Sequence, residues 1–190
     1  MRVVAGSAGG IPLFTPKTDL RPTMDVVKSA IYSSLGEFIQ GARVMDLFAG
    51  CGSLGIEALS RGAASAAFVE SDGRATAVIE RNLAKTGVQG GTVHQFDVFR
   101  YLDKFAAPQA FDLILADPPY AKQPGDRDFT PELLSCDSLL NALAPDGLFV
   151  LEHKPGAKLA LRDRWECFRQ KRYGATEVAF LRPAGAGFPE

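Results

Sequence analysis

From residue 43 to residue 152, short apolar runs alternate with segments whose apolar residues recur at helical spacing. The run FDLILA at 111–116 is almost entirely apolar, as in a strand covered on both faces of a sheet. Alternating strands and helices are joined by right-handed crossovers and build a parallel sheet. We therefore predict an α/β fold, a Rossmann-like, doubly wound, mostly parallel seven-stranded sheet with a C-terminal antiparallel hairpin and a small N-terminal extension. The predicted strands cover 43–48, 66–70, 92–96, 111–116, 147–152, 165–171 and 176–181, and the predicted helices cover 54–61, 72–86, 98–105 and 130–144.

The first 40 residues follow a different pattern, with extended pieces at 2–5 and 11–14 and then a helix over 24–38. Thr23 is the expected N-cap of this helix, and Thr130 caps the helix over 130–144, with Pro131 at its first position. This segment is too short to bury a core of its own. We predict an N-terminal extension, residues 1–40, consisting of a short hairpin and a helix packed on a main domain of residues 41–190.

Composition and charge narrow the class of protein. Hydrophobic residues make up 46% and charged residues 23%, values typical of a folded globular chain, and no apolar run approaches the ~20 residues of a membrane span. The N-terminus lacks a signal peptide's apolar stretch, and three cysteines without a C-x-x-C pair favour neither disulfides nor zinc. We expect a cytoplasmic protein without a metal, membrane contact or obligate protein partner. The net charge is −1, and the acidic middle of the chain, 41–150, suits a cationic ligand.

The sequence FAGCGSLG, residues 48–55, directly follows the first predicted strand. Its glycines, Gly50, Gly52 and Gly55, have the spacing G-x-G-x-x-G, which lets the backbone approach a ligand at the start of a helix. Glu70 ends the next strand, where a carboxylate accepts hydrogen bonds from ribose hydroxyls. The pattern predicts a cofactor that contains adenosine and leaves open which one.

The sequence DPPY, residues 117–120, follows the fourth predicted strand, at the sheet edge that faces the ligand crevice. Two prolines remove backbone donors, so this segment offers acceptors, the Asp117 carboxylate and the Pro118 carbonyl, beside the flat ring of Tyr120. Two acceptors and an aromatic plane suit a planar base with an exocyclic amino group. The structural alternative is a Pro-Pro turn that leaves a strand and has no ligand.

The order of these motifs resembles that of class I methyltransferases, which use S-adenosylmethionine (SAM), and DPPY resembles the signature of enzymes that methylate exocyclic amino groups in nucleic acids. Together with LRPTMDVVKSAIYSSL at 20–35 and FVLEH at 149–153, the chain resembles the bacterial 16S ribosomal RNA guanine-N2 methyltransferase family. The resemblance spans nearly the whole chain. One departure is SAGGIPL at 7–13, where that family usually carries a basic stretch.

The resemblance implies SAM as the cofactor and 16S rRNA, or an assembly intermediate of the small ribosomal subunit, as the partner. It implies catalytic roles for Asp117, Pro118 and Tyr120. The cofactor-binding residues that it implies are Asp46, Phe48, Ala49, Gly50, Gly52, Glu70, Ser71, Asp97 and Val98.

For RNA contacts we predict Arg21, before the N-terminal helix, and Lys122 and Arg127, in the polar loop after DPPY. Other acceptors stay open at this stage: adenine N6, a different rRNA guanine, or a protein glutamine amide. A NAD-dependent dehydrogenase also matches the glycine spacing, but it gives DPPY no role and needs a second domain. A SAM or RNA binder without catalytic activity is a further alternative.

Overall fold

The computed structural model describes residues 1–15, 23–121, 123 and 125–185. Its strands are β1 (Arg43–Leu47), β2 (Ser65–Glu70), β3 (Gly91–Gln95), β4 (Phe111–Ala116), β5 (Leu143–His153), β6 (Trp165–Tyr173) and β7 (Thr176–Pro183). Its α-helices are α1 (Thr23–Leu35), α2 (Ser53–Ser60), α3 (Gly73–Thr86), α4 (Val98–Lys104), α5 (Phe129–Ser135) and α6 (Asp137–Ala142), and 3₁₀ helices cover Gly36–Ile39 and Arg162–Arg164.

The strands form one seven-stranded sheet in the order β3-β2-β1-β4-β5-β7-β6. Strands β1 to β5 are parallel, and β7 is antiparallel to both β5 and β6. The predicted fold is therefore confirmed. The strand order reverses between β1 and β4, where Leu47 pairs with Ala116, so the carboxyl ends of these strands open a crevice.

Each face of the sheet is covered by its own layer of helices. One hydrophobic cluster joins the sheet to α1, α2 and α3, with Ile31, Ile56 and Ile79 fully buried, and the other joins it to α4, α5 and α6. Helix α2 packs very closely on β2, because a Cβ placed on Gly55 would lie 2.3 Å from Cε1 of Phe68. This close approach fixes the first turn of α2 against β2.

The N-terminal residues 1–15 fold back on α2. Arg2 and Pro12 form an isolated antiparallel bridge, a shorter pairing than the predicted hairpin. The buried carboxylate of Glu57 accepts hydrogen bonds from the backbone N–H groups of Val4 (2.7 Å) and Ala5 (3.0 Å). These contacts attach the extension to the helix that follows the glycine loop, while the predicted boundary at residue 40 stays a prediction.

Two predicted helices differ from the structure. The helix predicted over 130–144 is divided into α5 and α6, because Cys136 is extended (φ −75°, ψ 112°), and the chain already enters β5 at Leu143. Asp128, and not Thr130, is the N-cap of α5, since its carboxylate accepts the N–H of Thr130 at 3.1 Å.

The N-terminal helix also differs at both ends. Thr23, predicted as the N-cap, is the first residue of α1. The α-helix ends at Leu35 because Gly36 has a positive φ of 55°, and a 3₁₀ turn follows. Within the described part of the chain, no helix is long and apolar enough to cross a membrane.

Candidate active site

A cavity of about 630 Å³ lies at the carboxyl ends of β1, β2 and β4, where the strand order reverses. It brings together most of the residues that the sequence predicted for the cofactor and the acceptor. Those that line it are Asp46, Phe48, Ala49, Gly50, Glu70, Ser71, Asp97, Val98, Asp117, Pro118 and Tyr120.

Gly52, which was predicted to bind the cofactor, does not line the cavity. It has a positive φ of 78° and precedes α2 as its N-cap. A Cβ at this position would lie 3.1 Å from Cγ2 of Ile79 and 3.3 Å from Cε1 of Phe68. The glycine therefore allows the loop to turn tightly against the core.

The glycine loop is held by hydrogen bonds to the neighbouring strand β2. The N–H of Ala49 donates to the carbonyl of Val69 at 3.1 Å, and the N–H of Gly50 donates to Oε2 of Glu70 at 2.9 Å. Phe48 and Gly50 both have a φ of 57°, which bends the chain outwards at the end of β1. The loop is thus bound to β2 and presents its backbone to the cavity.

Glu70, the last residue of β2, has a fixed carboxylate. Its Oε1 accepts the backbone N–H groups of Ser71 (2.7 Å) and Asp72 (2.9 Å), and its Oε2 accepts that of Gly50. An acidic side chain at this place in the fold is suited to accept two hydroxyl groups of a ribose, since each carboxylate oxygen can accept more than one hydrogen bond.

An aromatic cluster closes the side of the cavity next to Asp97. Asp97 caps α4 by accepting the N–H groups of Phe99 and Arg100, both at 3.1 Å. The ring of Phe129, at the start of α5, lies 5.0 Å from that of Phe48, edge to face. Phe48, Val98 and Phe129 give this part of the cavity an apolar lining, as a flat adenine ring would need.

Three carboxyl groups make the opposite part of the cavity acidic. Burial, together with the nearby Asp117 and Glu70, raises the pKa of Asp46 to about 8, although the N–H of Gly55 donates to this carboxylate at 2.8 Å. Burial also raises the pKa of Asp117 to about 6. It raises the pKa of Glu152 well above its ordinary value, and the neighbouring Asp117 and Asp46 add to this rise.

Glu152 was missed by the sequence analysis, although it follows the apolar run FVL of β5. An acidic residue near the carboxyl end of a buried strand next to β4 is a signal that could have identified it, since parallel strands end at the same edge. Burial raises the pKa of all three carboxyl groups, and neighbouring charges raise those of Asp46 and Glu152 further, so a cationic ligand in the cavity would favour the ionised forms.

The wall around DPPY includes the turn between β6 and β7, which the sequence analysis did not place at the site. Tyr173 and Thr176, at the two ends of this turn, line the cavity. The hydroxyl of Tyr120 lies 2.9 Å from that of Thr176, in hydrogen-bonding distance. Pro118 is buried and Pro119 is exposed. The turn therefore fixes the orientation of the Tyr120 ring.

A buried lysine, Lys28 of α1, also reaches the cavity and was not predicted. Its ammonium donates to the carbonyl of Arg2 (2.5 Å) and to Oγ of Ser53 (3.0 Å), and it lies 3.4 Å from the Glu57 carboxylate. Burial lowers its pKa from the ordinary value, and the charges of Glu57 and Asp25 oppose this shift. A lysine within the apolar stripe of a predicted helix was the available signal.

Of the predicted RNA contacts, Arg21 and Lys122 lie outside the described residues. Arg127 stacks over the rings of Phe99 and Phe129, at 5.0 and 4.7 Å from their centroids, and donates to both carboxylate oxygens of Glu132. It joins the loop after DPPY to the aromatic cluster.

The side chains that line the cavity are chemically suited to the three parts of SAM. Carboxylates at 46, 117 and 152 suit a ligand with a positive sulfonium and a positive amino group, Glu70 suits its ribose, and the aromatic cluster suits its adenine. Among the residues that the structure describes, no group of three or more His, Cys, Asp or Glu side chains is placed to hold a metal ion.

Comparison with known proteins gives consistent matches. The model of the family described as conserved hypothetical protein 95 matches residues 1–182. A Bacillus subtilis protein, YlbH, whose name describes it as a candidate rRNA methyltransferase, is 36% identical over 97% of this chain and 100% of its own length. The ribosomal RNA small subunit methyltransferase D of Haemophilus influenzae is 30% identical over 92% of this chain and 89% of its own.

A solved structure from Escherichia coli, yhhF, described as a candidate methyltransferase, superposes with a TM-score of 0.81 at 25% identity, covering 96% of this chain and 97% of that one. The chain therefore belongs to the family described as conserved hypothetical protein 95, an rRNA methyltransferase family with the SAM-dependent fold.

Proposed function

We propose that this protein transfers a methyl group from SAM to the exocyclic N2 amino group of a guanine in 16S rRNA. Relatives named as ribosomal RNA small subunit methyltransferases support an rRNA substrate. An rRNA substrate in turn implies that the protein acts in the cytoplasm. The observation that carries the proposal is that DPPY shares one cavity with the glycine loop and Glu70. An amino group held by DPPY therefore faces the region suited to the cofactor.

SAM supplies an electrophilic methyl group on a positively charged sulfur, and this sulfur would leave as a neutral thioether when the methyl carbon bonds to the amino nitrogen. Glu70 is proposed to bind its ribose, with Ser71, Asp97 and Val98 around its adenine. The glycine loop, Phe48 to Gly52, and Asp46 are proposed to bind the methionine part. The positions of these residues around the cavity, Gly52 excepted, support the assignments, and backbone hydrogen bonds hold the Glu70 carboxylate in place.

The acceptor end is proposed to work mainly by positioning. The carboxylate of Asp117 and the carbonyl of Pro118 accept the two amino hydrogens, and the ring of Tyr120 stacks on the base. Hydrogen bonds in this arrangement favour a pyramidal nitrogen whose lone pair points into the cavity, and such positioning supplies several kcal/mol of catalysis. After transfer the nitrogen is strongly acidic, so its proton passes to water or to a weak base such as Asp117.

The target base must leave its stack to enter the cavity, which costs a few kcal/mol and favours an unpaired base. Arg21, Lys122 and Arg127 stay proposed RNA contacts, since they flank α1 and DPPY in the sequence. For Arg127, the contact requires sharing its guanidinium between Glu132 and a phosphate.

The test is transfer of labelled methyl from SAM to whole and partly assembled small ribosomal subunits, with the modified nucleoside identified by mass spectrometry. N2-methylguanosine is the expected product. N6-methyladenosine would show the alternative acceptor, and label in no rRNA nucleoside would overturn the proposal. Comparing the two substrates also tells whether the enzyme acts before or after assembly.

A further inference from the structure

The edge strand β6 carries a row of cations on one face. Arg169 pairs with Phe180 of β7 and Lys171 pairs with Val178. Directly opposed residues of antiparallel strands point to the same face of a sheet. Val178 and Phe180 belong to the core cluster of α1, α2 and α3, so Arg169 and Lys171 lie on that side of the sheet. The same register places Tyr173 on this face, opposite Thr176.

An exposed aromatic ring begins this row. Phe168 is 40% exposed and lies at an irregularity in the pairing between Cys167 and Arg169. Its ring centroid is 6.2 Å from that of Phe180, which places it on the same face as the cations. Phe168, Arg169 and Lys171 are called the β6 stripe below.

The β6 stripe leads directly to the acceptor end of the cavity. Tyr173 and Thr176 line the cavity beside DPPY, and Thr176 contacts Tyr120 at 2.9 Å. A strand rises about 3.4 Å per residue, so Lys171 and Arg169 lie roughly 7 and 14 Å from Tyr173 along β6. The stripe is therefore continuous with the proposed base site.

The cations of the β6 stripe differ in their ion pairing from two arginines nearby in the sequence. Arg164 forms an ion pair with Asp137, and Arg182 forms one with Glu166. Among residues 1–15, 23–121, 123 and 125–185, no carboxylate is paired with Arg169 or Lys171 within 4.0 Å. Within that described part of the chain, the charges of Arg169 and Lys171 are thus available to a polyanion.

We propose that the β6 stripe binds the single-stranded segment of rRNA that flanks the base held in the cavity. This inference rests on the proposed function. Arg169 and Lys171 contact phosphates of the backbone, and the ring of Phe168 stacks on an unpaired base, the combination by which proteins hold single strands without reading their sequence. The stripe also provides cations that the N-terminal segment 7–13 lacks.

The test is the double variant Arg169→Gln/Lys171→Gln, assayed with small ribosomal subunits between 0.05 and 0.2 M salt. Loss of two phosphate contacts is expected to raise the KM for the subunit roughly threefold to tenfold, and to reduce the slope of log KM against log salt concentration by about 1.4. The kcat at saturating subunit and the affinity for SAM are expected to stay unchanged.

Lys104→Gln is the control for the loss of one exposed cation away from the stripe, since Lys104 lies at the end of α4, on the opposite face of the sheet. Unaltered KM and salt dependence in the double variant, with methyl transfer by the wild-type protein intact, would overturn this inference alone. A fall in kcat or in melting temperature without a change in KM would assign the residues a structural role and overturn it too. Failure of the wild-type protein to methylate rRNA would instead overturn the proposed function and this inference together.

Discussion

The fully buried carboxyl of Asp46 makes a quantitative prediction about stability and pH. Its pKa is raised from an ordinary 3.8 to about 8. A carboxyl whose pKa is higher in the folded than in the unfolded protein stabilises the fold below its unfolded pKa, and this contribution is lost as the pH rises through the folded value. The contribution of Asp46 to the free energy of unfolding should therefore fall between about pH 4 and pH 8.

The informative change is Asp46→Asn, which keeps an oxygen to accept the N–H of Gly55 and removes the titration. One pKa unit corresponds to about 1.4 kcal/mol, so the stability of the variant relative to wild type should increase by about 4 kcal/mol between pH 5 and pH 8. The cause is that folded Asp46 must be ionised in a buried site next to Asp117 and Glu70 at the higher pH.

Urea denaturation at pH 5, 6.5 and 8 measures the difference in unfolding free energy at each pH. Asp103→Asn, at an exposed carboxylate of α4, controls for the removal of one negative charge. A difference between wild type and Asp46→Asn that stays constant from pH 5 to pH 8 would refute the electrostatic reasoning. A cationic SAM analogue should reduce the pH dependence in the wild type, because it favours the ionised carboxyl.

Three further predictions concern the acceptor wall and the core behind it. Asp117→Ala should abolish methyl transfer in a tritium assay while SAM binding by calorimetry persists, and retained transfer would contradict its proposed role. Thr176→Val and Tyr120→Phe should each reduce kcat/KM by up to about fivefold, the value of one hydrogen bond. Tyr120→Ala should reduce kcat/KM far more, because it also removes the stacking of the ring on the base. Equal losses in the two Tyr120 variants would argue against stacking. Gly55→Ala should lower the unfolding free energy in urea by about 1–3 kcal/mol because the new Cβ meets Phe68, and a loss below about 0.5 kcal/mol would contradict this close packing.

The fold and the main motifs were predictable because each depends on residues close together in the sequence. Apolar runs such as 111–116 identify buried strands, and FAGCGSLG and DPPY follow strands whose carboxyl ends meet. The break at Cys136 was not predictable from the apolar spacing, since that spacing continues through it.

The remaining wall of the cavity was not predicted for a different reason. Lys28, Glu152 and Thr176 come from α1, β5 and the β6–β7 turn, and their convergence depends on strand order and register. A single sequence gives the strands but not the order in which they pair. Lys28 and Glu152 are also charged residues beside apolar ones, a pattern that does not distinguish a buried charge from a solvated one.

The attachment of the N-terminal segment to α2 has a consequence for how ligand binding can be observed. The Glu57 carboxylate accepts hydrogen bonds from the backbone N–H groups of Val4 and Ala5. The Ser60 hydroxyl oxygen accepts one from the N–H of Ala8 at 3.0 Å. Those amides can exchange with deuterium only when the segment detaches from α2, whose first turn follows the glycine loop. Binding of SAM in the cavity should therefore slow the deuterium exchange of these three amides, although none of their residues lines the cavity.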